Sequence, residues 1–114
     1  MSNADSTQAN PTRELGDVGG RLLFENERVR VWRLKLEPGE RSPIHHHELD
    51  YLLVKIAGDT IGLTPEPDTG SEWKESGEWP VKPGQVDFIA RGGIEAAYNP
   101  SSIPYHEVII ELKD

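Results

Sequence analysis

Residues 42–51 read Ser42-Pro43-Ile44-His45-His46-His47-Glu48-Leu49-Asp50-Tyr51 and place three of the chain's four histidines side by side. The strand-like run "YLLVKIA" follows at once, over 51–57. In an extended chain, side chains two apart point the same way, with their Cα atoms roughly 6.6 Å apart. His45 and His47 are therefore expected to converge on one point while His46 faces away. Two neutral imidazoles on one face make a pair of donors for a divalent ion. Adjacent histidines in a polar turn are also common without any ion, so the surroundings have to decide.

Outward from this stretch the chain is a series of short apolar runs between glycines and prolines, 11 and 9 in number. Strands are expected at 21–25, 28–36, 51–57, 60–64, 71–75, 78–82, 85–90, 94–99 and 105–113. Val, Ile, Leu and aromatic residues dominate these runs, and no 3.6-residue period persists in any of them. Many short strands at near-regular spacing indicate an all-β sandwich or barrel without substantial helix. In "RVRVWRLKL" (28–36), Val29 and Val31 share one parity while Trp32, Leu34 and Leu36 share the other. Such a phase switch signals a bulge or burial on both faces, the second implying a subunit interface.

Length and charge bound the rest. The 114 residues suit one domain. Residues 1–14 are small and polar without periodicity, as expected of a flexible arm ahead of a domain at 15–114. The chain contains no cysteine, which excludes disulfides and thiolate-ligated zinc. Acidic residues number 20 against 12 basic ones, a net charge of −8. That balance disfavours nucleic acid and anionic membranes, both of which need clustered Lys and Arg. No apolar run reaches the roughly 20 residues that span a bilayer. Without a signal-like N-terminus, a cytoplasmic location is expected.

Two spaced patterns carry the functional reading. Gly39, five residues, His45-x-His47, three residues, Tyr51, six residues and Gly58 form the first. Pro83-Gly84, the run "QVDFIA", Gly92-Gly93, Glu95 and Asn99 form the second. In this layout the chain resembles the cupin superfamily over roughly residues 21–113, and the ending "IPYHEVIIELK" resembles the last strand of small single-domain cupins. The resemblance implies a double-stranded β-helix, or jelly-roll barrel, holding a metal or a small ligand inside. Two positions depart from the family pattern. Tyr51 stands where the first motif has a glutamate, and Glu95 stands where the second has a histidine. The family's three-His, one-Glu set becomes His45, His47, Tyr51 and Glu95. Asp50 is a substitute carboxylate in name only, since strand alternation aims it outward.

His45, His47 and Glu95 would make a two-histidine, one-carboxylate face, the arrangement that suits non-haem Fe(II) with open positions. An unpaired carboxylate at Glu95, among Ile94 and two alanines, would be costly to bury without a cation. The expected cofactor is one divalent transition metal, Fe(II) before Ni, Zn or Mn. The expected activity is that of a dioxygenase-like enzyme acting on a small organic acid, in a homodimer. Tyr51 and His106 are the candidate acid–base residues, and His106 is expected inward because it shares parity with Val108, Ile110 and Leu112. Two other classes fit the same residues: a non-enzymatic ligand-binding or sensor barrel, and a metal-free isomerase using Tyr51 and a histidine. Trp73 and Trp79 around Ser76-Gly77 suggest a hairpin with paired aromatics. Arg41 and Arg91 read as surface ion-pair partners.

Overall fold

The computed structural model describes residues 13–114, so most of the expected arm lies outside the described residues. Nine strands follow in chain order: β1 (Arg21–Glu25), β2 (Val29–Leu36), β3 (His45–His46), β4 (Tyr51–Ala57) and β5 (Thr60–Pro65), then β6 (Gly77–Pro80), β7 (Val86–Ile89), β8 (Ile94–Tyr98) and β9 (Tyr105–Leu112). There is no helix among the described residues, hence none long and apolar enough to cross a membrane. The strands form two antiparallel sheets, ordered β1-β2-β9-β4-β7 and β3-β8-β5-β6.

The two sheets face each other across a core of Leu34, Leu36, Tyr51, Ile61, Val81, Ala97, Tyr105 and Ile109, with Trp32, Leu53, Leu63 and Ile89 packed against it. Trp32, Leu34 and Leu36 thus occupy the inner face of β2, as their shared parity requires. The outer face of the five-stranded sheet is also apolar. Phe24, Ile56, Val86 and Phe88 are all exposed. The Pro38-Gly39 and Pro83-Gly84 turns put their glycines at φ 81° and 91°, a backbone conformation that side chains disfavour. Asn99 is almost fully enclosed. Its amide donates to the carbonyls of Leu36 and Ile103, and its Oδ1 accepts from the Ser101 N–H and hydroxyl. Asn99 therefore ties the end of β8 to β2.

Two expectations need correction. Residues 71–75 are not a strand. Thr69 Oγ1 accepts from the Ser71 N–H and Ser71 Oγ from the Trp73 N–H, so local side-chain bonds take donors that a ladder would need. Trp73 and Trp79 do pack edge to face at 5.1 Å, but from a loop and β6 rather than across a hairpin. Near the N-terminus, Arg13 bonds Glu66 and Asp68, and the Gly16 N–H donates to the Ile44 carbonyl, which holds this segment along β3.

Candidate metal centre

Register brings the two motifs together. On the antiparallel pair β3–β8, His45 lies directly opposite Glu95. The ladder bonds continue past the strand end, with the His47 N–H donating to the Gly93 carbonyl and the Gly92 N–H to the His47 carbonyl, both at 2.8 Å. Gly93 therefore faces His47, and its missing side chain leaves room for the site. A Cβ there would stand 2.9 Å from Glu95 Oε1 and 3.8 Å from His47 Cδ2. His45, His47 and Glu95 are all buried, and one ligating atom from each lies within 4.8 Å of the others. His46 points the other way, toward Glu48.

The donor chemistry fits a cation. His45 Nδ1 lies 2.9 Å from the Pro43 carbonyl. A carbonyl only accepts, so Nδ1 carries the hydrogen and Nε2 presents its lone pair. Burial and then the neighbouring His47 push the His45 imidazole below its usual value, so it is neutral at pH 7. His47 Nδ1 is buried without a hydrogen-bond partner. Its Nε2 lies 3.5 Å from Glu95 Oε2, at the outer limit for a hydrogen bond. Buried polar atoms are nearly always satisfied, and a divalent ion is a partner that would satisfy this set.

Tyr51 stacks on the His47 ring at 4.1 Å and 16°. Burial, reinforced by the charges of Glu95 and Glu107, pushes its phenol far above the ordinary value, so it stays protonated. His106 does not face the cavity that its parity with Val108 and Ile110 suggests. Its neighbours Tyr105 and Glu107 line the cavity and it does not, so it occupies the opposite face of β9. There burial, followed by the charges of Lys35 and Arg33, pushes its imidazole below the usual value. Asp50 faces outward as expected. It accepts from the Arg91 N–H and guanidinium, which hold its carboxyl below the ordinary range.

The site opens on a cavity of about 560 Å³ between the sheets. Its walls are mostly apolar, including Leu34, Leu53, Ile61, Leu63, Ile89 and both Trp73 and Trp79. Four polar residues that the sequence reading passed over also line it: Lys55, Asp87, Tyr105 and Glu107. The signal for them was parity, since Lys55 lies two and four residues beyond Leu53 and Tyr51 on one strand.

No family model matches the chain, and no curated protein sequence matches it. Solved structures do. A cupin domain from Bordetella pertussis Tohama I superposes with a TM-score of 0.70 at 23% identity, over 87% of this chain and 100% of that one. The chain has the cupin fold. A cupin with a double-stranded β-helix from Methanocaldococcus jannaschii aligns at TM-score 0.61 and 17% identity, covering 86% and 94% of the two chains. The polyketide cyclase RemF from Streptomyces resistomycificus aligns at TM-score 0.55 and 20% identity, over 78% of this chain and 57% of its own. At these identities the cupin likeness speaks for fold, and activity has to be argued from the site.

Proposed function

We propose that the chain is a metal-dependent cupin enzyme of small-molecule metabolism, with one divalent ion held by His45, His47 and Glu95. The observation that carries this reading is the cross-strand register that gathers two buried imidazoles and one buried carboxylate around a single point. Two neutral ligands and one anion are the set favoured by Fe(II) with open positions, while Ni, Zn and Mn also accept them. Bound there, the ion would supply Lewis-acid polarisation and, as Fe(II), access to O₂ chemistry. The reaction class is oxygenation of a small organic acid.

The chain's own groups have separate tasks. The apolar walls exclude water from the reacting end of the substrate. The Tyr51 hydroxyl, protonated and adjoining His47, donates a hydrogen bond into the cavity. Glu95 supplies the negative charge that selects a cation over a neutral ligand. Oxygen uptake by the Fe(II)-loaded protein, measured across thiol, amino and keto acids, tests the reaction class. Substrate-dependent uptake supports it, and silence across the panel counts against oxygenation.

One observation favours a second reading, a ligand-binding or sensor barrel: the cavity walls are largely apolar, as in carriers of small molecules. In that case ligand affinity would be indifferent to chelation. We further propose a homodimer formed through the outer face of the five-stranded sheet, where Phe88 is 61% and Val86 55% exposed. Light scattering would show a dimeric mass for the wild type and a monomeric one for Phe88→Glu. A monomeric wild type would refute it.

A further inference from the structure

The cavity has a second polar end that the metal reading leaves without a task. On β4 the inward positions are Tyr51, Leu53 and Lys55, so Lys55 lies about 13 Å along the strand from the tyrosine that stacks on His47. Lys55 is more than nine-tenths buried. Its single ionic partner among the described residues is Asp87, 3.8 Å away and beyond hydrogen-bond reach, and the two carboxylate oxygens of Asp87 already accept from the Gln85 amide. No hydrogen bond from Lys55 Nζ is present among the described residues. Nor is Nζ among the fully enclosed unpartnered atoms, and Lys55 lines the cavity. A buried ammonium without hydrogen bonds is costly unless a ligand supplies the acceptor.

The local backbone aims this side chain deliberately. Glu107 on β9 is the register partner of Lys55, and the register slips between His106 and Glu107, leaving Ile56 as the extra residue of a bulge. Bulges re-aim neighbouring side chains and recur beside binding sites. Tyr105 donates its hydroxyl to Glu107 Oε1. When Glu107 is protonated, the hydrogen therefore sits on Oε2, the oxygen without a hydrogen-bond partner among the described residues. Burial raises this carboxyl to about 7, against the Tyr105 bond and the Lys55 charge that lower it. An anion placed beside it would raise it further, because like charges disfavour ionisation.

We infer that Lys55 Nζ receives the carboxylate of a small monocarboxylate whose apolar body lies along the cavity toward His45, His47 and Glu95. This rests on the small-molecule reading proposed above and makes Lys55 the residue that selects an acid. It does not require the ion, since the anchor belongs to the chain alone.

The test is binding rather than turnover, read by the fluorescence of the two cavity-lining tryptophans. Phenylacetate, 2-phenylethanol and phenethylamine share one apolar body and differ in the charge of the head group. Each is titrated into metal-loaded and chelated wild type, Lys55→Met and Lys55→Arg, with circular dichroism confirming the fold. Phenylacetate is expected to bind wild type at least ~10-fold more tightly than the alcohol, with Lys55→Met abolishing that preference and Lys55→Arg retaining it. The wild-type comparison stands even where a variant fails to fold. A chain that binds the acid no better than the alcohol, that prefers the amine, or that keeps its preference for the acid in Lys55→Met overturns the inference. Failure of the metal reading shows separately, as no ion retained by the wild type in elemental analysis, an outcome that leaves the preference for the acid over the alcohol untouched.

Discussion

The two polar ends of the cavity are built by different means. At one end, β3 and β8 bring His45, His47 and Glu95 together from two motifs, and a glycine opposite His47 makes the space. At the other, Lys55, Asp87, Tyr105 and Glu107 come from three strands of the five-stranded sheet, β4, β7 and β9. The first end is buried, with the His45 ring neutral, and poor in hydrogen bonds. The second carries ionisable groups, with Lys55 and Glu107 buried and Tyr105 bonded to Glu107. The contrast teaches that the first end is suited to a cation and the second to the polar head of a ligand.

The largest effect that separates the ends is expected from His47→Ala. Removing one of three donors should weaken Fe(II) or Zn(II) binding by at least ~100-fold, as read by competition with a chelating dye. Thermal stability should change little in the metal-free protein. An ion bound with wild-type affinity would break the comparison at its first end.

Glu107→Gln addresses the second end through pH. The Glu107 carboxyl titrates near 4.5 when exposed and is raised to about 7 in the fold. Its contribution to stability is therefore fully present below about 4.5 and is lost as pH rises through about 7. Wild type should lose up to about 3 kcal/mol relative to Glu107→Gln across that window, from a shift of one unit being worth about 1.4 kcal/mol. Urea titrations at several pH values measure it, and parallel pH profiles for the two proteins would contradict it.

Gly93→Ala gives a smaller, local effect. The added methyl would press on the Glu95 carboxylate, the movable end of a side chain, rather than on backbone. Metal affinity should fall roughly 10-fold while the melting temperature stays near that of wild type. Unchanged affinity would show that Glu95 has another position from which to ligate. Arg91→Ala marks the floor of the series. Arg91 sits inside the second motif in sequence yet pairs with Asp50 and Asp114 on the surface, so neither metal binding nor the ligand preference should move.

Much of the first end was legible in the sequence, and the reason is its spacing. HxH in an extended chain fixes two side chains on one face, and the distance from Pro83-Gly84 to Glu95 and Asn99 fixes where the opposing strand begins. The all-β architecture was legible from strand-length runs between turn residues. The second end was hidden because polarity misleads when a barrel encloses a polar cavity. In "YHEVIIEL" the apolar parity of Val108 and Ile110 looks inward-facing, and His106 shares it. The inner face instead carries Tyr105, Glu107, Ile109 and Glu111, with both glutamates buried. Glu111 is satisfied there by the Arg30 guanidinium and the Trp32 indole N–H, partners that sequence parity alone does not reveal. Residues 71–75 lie between turn residues as the true strands do, but Thr69 and Ser71 turn the backbone there by side-chain bonds.

The central claim is that Glu95 completes a three-donor site with His45 and His47. Elemental analysis of untagged protein, reconstituted with Fe(II) under anaerobic conditions and freed of excess metal, tests it most directly. One ion per chain in wild type and none in Glu95→Ala is the predicted result. No ion in wild type, or an ion retained without Glu95, would contradict it.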